Sequence, residues 1–428
     1  MAHAVPVPDV SAFLRTAGFS EAADAVDLKF GGSTMWAATR AVGALALETR
    51  LVQSYAPQKD PYGSSCMPLY QTATFASASA DDFGDYDYTR SGNPTRTALE
   101  SAIADVEGCA RAITFSTGMA ALSAVTRLAK SGDEILLSDD SYGGTYRLLS
   151  KICANMGITT RYVAMDGPEG PARLEAAIQP HTSLVMVESP TNPMQRVCDV
   201  RGLAKVCRAR GVILEVDNTL MSPLLQKPLE LGAHVVVHSL TKFFAGHSDT
   251  MAGAVCCDDP ELAKRLAFTV NAEGTALAPF DCWLVLRGMK TMSLRVNAAM
   301  RNTERVAAFL HAHAKVTKCY YATLPSHPGK ELHASQASGG GCVVCFTTGS
   351  VAFSKHIVTN TKLFRITVSF GSVNSLISCP CDMSHASIPA EVRAAREFPE
   401  DIIRVCVGVE HIDDLLTDLD QALNSYKA

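Results

Sequence analysis

The chain lacks any uninterrupted apolar run approaching the ~18 residues that a membrane-spanning helix needs, so no such span is expected. It also lacks a charge excess, with 38 Lys and Arg against 43 Asp and Glu and a formal net charge of −5. Its basic residues are scattered instead of forming a stripe, which argues against a nucleic-acid partner, because phosphate backbones are held by dense basic surfaces. No Gly-x-Gly-x-x-Gly opens the first βα turn, and a dinucleotide-binding protein is disfavoured accordingly. Regular cysteine spacing is missing too. The 14 Cys lie inside apolar runs, as at Cys256 and Cys257 or Cys406, which fits a reducing compartment better than a disulfide framework. Cys342-Val-Val-Cys345 and Cys379-Pro-Cys381 each lack the second half of a metal set, and alternating Cys in a strand reads as core packing, so no metal is expected.

What is present is an ordinary globular composition, 47% apolar and 19% charged, spread over 428 residues. That length exceeds one usual core, and two or three domains are expected. The first 45 residues set Asp9, Glu21, Asp24 and Asp27 against Arg15, Lys29 and Arg40, unlike the Arg-rich, acid-poor composition of a transit peptide, so the expected compartment is the cytoplasm.

Short β-branched runs alternate with helical stretches from about residue 110 to 257: Ala112 to Phe115, Glu134 to Ser138, Leu184 to Glu188, Val212 to Asp217, Val235 to His238 and Gly253 to Cys257. This rhythm predicts an α/β fold with a mostly parallel central sheet and helices on both faces. Their near-continuous apolar character fits strands buried on both sides. Residues 1–92 are richer in Pro, Gly, Ser and Asp, with an extended loop from Asp81 to Asn93, and are expected to form an extension and arm that reaches a neighbouring subunit. The main α/β domain is expected over 93–288. Residues 289–428, with a helix through Ala299 to His313, strands near Gly341 to Thr347 and Ile403 to Val409, and a helix from Ile412 to Tyr426, are expected to form a smaller C-terminal α/β domain.

The strand Val212-Ile-Leu-Glu-Val-Asp217 ends in a carboxylate at its C-terminal tip, where open α/β sheets place ligands. A second apolar strand runs from Val235 into His238-Ser239-Leu-Thr241-Lys242, so an amine and two hydroxyls emerge at the same edge. Such a pair suits pyridoxal 5′-phosphate (PLP), which needs a lysine amine for its Schiff base and an acid beside its pyridine nitrogen. A structural Asp–Lys ion pair is the plainer alternative. At Ser116-Thr-Gly118-Met119 a strand turns through Gly into an Ala-rich helix whose first N–H groups attract an anion, although many such turns are only helix starts. Asp140-Ser-Tyr142-Gly-Gly puts an aromatic ring on a turn, either to stack on a ligand or simply half-buried.

Together with Tyr88-Thr-Arg90-Ser-Gly-Asn93-Pro94 and Glu188-Ser-Pro-Thr-Asn192-Pro193, these motifs resemble the cysteine and methionine metabolism family of PLP enzymes, over about Glu48 to Leu423. Val368-Ser-Phe-Gly-Ser-Val and Met383-Ser-His-Ala-Ser-Ile-Pro are most similar to its plant-type cystathionine β-lyase branch. The resemblance implies the type I fold of PLP-dependent transferases, with Lys242 carrying the cofactor and serving as base, Asp217 on the pyridine nitrogen and Tyr142 stacked on the ring. Gly118, Met119, Ser239 and Thr241 would hold the phosphate from one subunit, and Tyr88 and Arg90 from its neighbour. Asn192 would contact the ring hydroxyl and the substrate carboxylate side. Arg404 and Ser369 would bind that carboxylate, a planar partner suited to a guanidinium.

The resemblance further implies a homotetramer of dimers with shared sites. It implies α,β-elimination of L-cystathionine to homocysteine, pyruvate and ammonia, in methionine biosynthesis, with free cysteine as a poorer substrate. Val368 stands where γ-lyases and γ-synthases carry Glu, and Gly144 where methionine γ-lyases carry Cys. Cystathionine γ-lyase and methionine γ-lyase activities, and a catalytically silent scaffold, are the alternatives.

Overall fold

The computed structural model of the chain describes residues 45–54, 60, 62–386 and 388–426. Leu51–Ala428 form one compact unit; of the unit Met1–Arg50, residues 45–50 are described. The expectation about the composition of the first 45 residues therefore falls almost wholly outside the described residues.

The larger sheet contains β1 (Arg111–Phe115), β2 (Glu134–Ser138), β3 (Thr159–Val163), β4 (Thr182–Glu188), β5 (Ile213–Asp217), β6 (Val235–Ser239) and β7 (Gly253–Cys257), in spatial order β1-β7-β6-β5-β4-β2-β3. β6, β5, β4, β2 and β3 run parallel; β7 is antiparallel to both of its neighbours. Branched and aliphatic side chains on both faces of β2, β4, β5 and β6 are sealed by helices, which is why those strands read as continuous apolar runs. Phe115, Leu137, Leu149, Met186, Val237 and Val255 are among that core, and burying one such side chain contributes roughly 1.5–3 kcal/mol. All six strands expected from the sequence form. β3 was not expected, because Thr-Thr-Arg-Tyr-Val at the sheet edge is only partly buried and carries no apolar signature.

The second sheet has the order β10-β11-β12-β9-β8, built from β8 (Lys318–Tyr320), β9 (Val343–Thr347), β10 (Arg365–Ile366), β11 (Leu376–Ser378) and β12 (Ile403–Cys406). A long helix, Met292–Ala312, precedes it and the helix Ile412–Asn424 follows. Phe346, Ile357, Val405 and Leu419 are among its core.

Among the described residues no helix is long and apolar enough to cross a membrane, and no group of His, Cys, Asp and Glu is placed to hold a metal ion. Residues 81–93 carry turns and isolated bridges, such as Thr74 with Tyr88, and no regular strand or helix.

The parallel register carries one consequence forward. Glu188 pairs with Asp217, and Asp217 with Val237, so β4, β5 and β6 end side by side and the chain leaving each one enters the same crevice.

Candidate active site

Lys242 lies three residues beyond the tip of β6. Its turn is closed by the Lys242 N–H donating to Ser239 O (3.2 Å) and the Gly246 N–H donating to Lys242 O (2.8 Å). From outside the turn, the buried Arg295 guanidinium donates to the carbonyls of Phe243 (2.9 Å), Phe244 (3.1 Å) and Gly288 (2.8 Å). Gly371 presses on the turn from the other side: a Cβ there would stand 2.9 Å from Lys242 Cα, and its φ of +86° also favours glycine. Lys242 Nζ donates to Ser369 Oγ at 2.5 Å and sits 5.1 Å from the centre of the Phe370 ring. Burial, and then the nearby Arg404 charge, push the amine down to about 8.

Acids line the strand tips. Burial pushes the Asp217 carboxyl up, opposed by hydrogen bonds from Thr219, whose N–H donates at 2.9 Å, and by His238 and Lys242 nearby. Glu188 and Glu215 are also driven well up by burial, each with the Asp217 charge as an added cause. Like charges this close cannot all ionise, and of the three Asp217 is the one with both hydrogen bonds and nearby basic side chains favouring its anion. Glu188 is held by the Tyr142 N–H at 2.5 Å.

Across the crevice, Thr117 caps the helix Gly118–Thr126 by accepting from the Ala120 N–H at 3.0 Å. The Ala121 N–H donates to Thr117 O. Among the described residues, the Gly118 and Met119 N–H groups then meet no acceptor, which leaves two donors at the positive end of a helix. Gly118 faces Ser239 so closely that a Cβ would come 3.0 Å from Ser239 Cβ and 3.1 Å from its Oγ. Gly253 backs this turn at a separation that admits no side chain, since a Cβ would lie 2.3 Å from Thr117 O. Unpartnered donors, a hydroxyl and close backbone approach make a cradle for a phosphate monoester. Thr241 stands less freely, because its hydroxyl exchanges hydrogen bonds with the Ala252 N–H (3.0 Å) and carbonyl (3.2 Å).

Arg404, on β12, is buried with its guanidinium tied at two points: Nη1 donates to Asn192 Oδ1 and Nη2 to Ser369 O, both at 3.0 Å. It also lies over the Phe370 ring, 5.4 Å from its centre. Ser369 therefore serves the lysine through its hydroxyl and the arginine through its carbonyl.

The structure thus brings Lys242, Asp217, Asn192, Ser239, Gly118, Met119, Ser369 and Arg404 to one crevice. Tyr142 belongs to the same wall, where a Cβ on Gly144 would meet its ring at 2.3 Å and Met119 Sδ at 2.8 Å. Tyr88 and Arg90 lie elsewhere on this chain, exposed, lining a hollow with Arg96 and Ala276, and Arg90 donates to Asn271 O at 2.8 Å. Sequence reasoning passed over Glu188, although it ends β4 as Asp217 ends β5 and the same tip rule flags it. It also passed over Thr219, Arg295 and His385, each of which has a main partner remote in sequence: the Ser239 N–H for Thr219, the Phe243 and Phe244 carbonyls for Arg295 and Asn192 O for His385.

A lysine amine of depressed basicity beside an acid and an anion cradle fits PLP: an amine for its aldehyde, a carboxylate for its ring nitrogen and donors for its phosphate. Fold and site together define a PLP-dependent enzyme of the type I fold. Residues 48–424 match the model of the Cys/Met metabolism PLP-dependent enzymes, and the chain belongs to that family. The chain is 54% identical over 367 residues to the chloroplastic cystathionine β-lyase of Arabidopsis thaliana, covering 86% of this chain and 78% of that protein. It is 47% identical over 380 residues to the cystathionine β-lyase of Neurospora crassa, covering 88% and 82%. A solved structure of cystathionine γ-synthase from Xanthomonas oryzae pv. oryzae in complex with cystathionine superposes with a TM-score of 0.86 at 36% identity, over 89% of this chain and 98% of that one.

Proposed function

We propose that this enzyme is a carbon–sulfur lyase that cleaves L-cystathionine by α,β-elimination, releasing homocysteine, pyruvate and ammonia. The observation that carries the reading is the convergence of Lys242 and Arg404 on Ser369, which sets a base beside a carboxylate clamp. The identities to two proteins named cystathionine β-lyase support the choice of reaction. So does Val368, an exposed apolar side chain where the γ-enzymes of the family carry an acid.

When bound, PLP supplies an electron sink for negative charge at the substrate Cα. Asp217 keeps a negative charge at the ring nitrogen, and Gly118, Met119, Ser239 and Thr241 hold the phosphate. Arg404, steadied by Asn192 and Ser369, takes the substrate α-carboxylate in a two-point grip. Lys242 Nζ, whose lowered basicity leaves a far larger neutral share than an ordinary lysine has, removes the Cα proton. Lys242 or Tyr142 then returns a proton to the sulfur that departs from Cβ. The Phe370 ring lies against both Lys242 Nζ and the Arg404 guanidinium.

Tyr88 and Arg90 complete the phosphate site of a neighbouring subunit, so the working form is a dimer with shared sites, paired into a homotetramer. Their exposure, and that of the large apolar side chains of Phe268, Phe280 and Leu294, supports this assembly. Residues 1–92 supply the arm, 93–288 the cofactor domain and 289–428 the smaller domain. The acid-bearing N-terminal composition supports the cytoplasm as the compartment.

A product assay on L-cystathionine tests the reaction. Homocysteine and pyruvate are expected in a one-to-one ratio, and a predominance of cysteine and 2-oxobutyrate would overturn the β assignment.

A further inference from the structure

His385 has no part in the chemistry above, yet it touches the site from behind. It follows β11 in the chain and is fully buried. Its Nε2 lies 3.1 Å from the backbone carbonyl oxygen of Asn192 and its Nδ1 2.9 Å from Ser384 Oγ. A carbonyl only accepts, so Nε2 carries a hydrogen toward Asn192 O, and in the neutral ring Nδ1 accepts from the Ser384 hydroxyl, with the Ser141 backbone as a further neighbour of the ring. Burial, and then the neighbouring Arg404 charge, press the imidazole down to about 3, in keeping with that neutral form. The ring cannot drift. Phe398 packs 5.3 Å from its centre, and Ser384 O abuts Gly143, where a Cβ would approach to 2.4 Å.

The residue that His385 grips is the one that orients the arginine. Asn192 Oδ1 receives Arg404 Nη1, and the Asn192 N–H reaches Glu188 only at a long 3.4 Å. The carbonyl bond from His385 is thus the shorter tether of the Asn192 backbone. We propose that His385 is the positioning residue of the substrate-carboxylate clamp: its Nε2–H fixes the Asn192 backbone so that the Asn192 amide presents the Arg404 guanidinium to an α-carboxylate. The proposal rests on the assignment of Arg404 to that carboxylate.

The test compares two small probes on the holoenzyme, glycine, which has a carboxylate, and methylamine, which has none, each titrated through the absorbance of the bound cofactor. His385→Leu is expected to weaken glycine by about ten- to a hundredfold, as small displacements of positioning groups do, and to leave methylamine within about threefold. His385→Gln, which keeps an N–H donor near the place of Nε2, is expected to restore glycine to within about threefold of the native protein. With cystathionine the same split appears as a raised KM at little-changed kcat. Should His385→Leu not fold, Ser384→Ala, which frees Nδ1 and loosens the tautomer, is expected to weaken glycine about threefold without moving methylamine. Equal weakening of both probes, or none, in the variants that fold would overturn the proposal. Arg404→Lys separates the two readings. If it leaves glycine unchanged, the carboxylate assignment itself is wrong; if it weakens glycine while the His385 variants do not, only the positioning role fails.

Discussion

Lys242 is the residue on which the chemistry turns, and its environment makes a measurable statement. An ordinary lysine at pH 7 has about one amine in 3,000 neutral; one at about 8 has about a tenth. The folded value lies below the unfolded one, so the folded protein releases this proton first and gains reactive amine as pH rises. The rate at which added PLP loads the cofactor-free protein is therefore expected to climb about tenfold per pH unit up to about 8 and then level off. A climb that continues to about 10 would show an unperturbed lysine. Lys242→Ala is expected to abolish the visible absorbance of the lysine-linked cofactor and to lower turnover at least ~10³-fold, the scale of a lost general base. Arg404→Lys keeps the charge but loses the planar two-point grip, and a KM rise of about tenfold or more is expected in steady-state kinetics. Residues of this kind were legible in the sequence because reacting groups sit at strand tips or in short motifs. Glu188 was open to the same strand-tip reading and was passed over, whereas His385 was not legible, since an imidazole on a remote carbonyl acquires its meaning only from neighbours brought in by folding.

At the level of elements, the segment 369–373 joins the two sheets. Its Val373 N–H donates to Gly246 O at 3.0 Å, and the Gly371 N–H donates to Cys406 Sγ at 3.2 Å. Gly371 packs on the Lys242 turn where no side chain fits. Gly371→Ala is expected to destabilise the protein by about 1–3 kcal/mol, from a positive φ and a clash with backbone that cannot yield, and thermal unfolding checks it. The elements themselves divided by type of signal. Strands buried on both faces announced themselves by uninterrupted apolar runs, whereas β3, β8, β10 and β11 are short or half-exposed and carry little pattern of their own. The helix Met292–Ala312 begins earlier than its amphipathic signal from Ala299, because its first turn carries Met292, Ser293 and Arg295 inward. Arg295, buried and spent on three carbonyls, is a charge that periodicity assigns to solvent.

For the whole molecule, the decisive experiment is complementation. Arg90→Ala and Lys242→Ala subunits, inactive apart, are expected to regain up to about a quarter of native activity when mixed and allowed to exchange, since a random dimer then carries one intact site in half of its pairs. No recovery after verified exchange would count against a site shared between subunits. Nothing in composition or periodicity spoke for the proposed sharing; it entered through the resemblance of Tyr88 and Arg90 to a motif, and both side chains are exposed on this chain, which leaves them free to meet a neighbour. Ser369 leaves a different trace. Because one serine steadies the proton-carrying amine with its hydroxyl and the guanidinium with its carbonyl, variation at this spot is pleiotropic: any lineage that reshapes the loop to admit a new amino acid retunes its own base strength in the same stroke. Diversification of substrate range is therefore easier through the outer wall, at positions such as Val368, than through the shared pivot beside it.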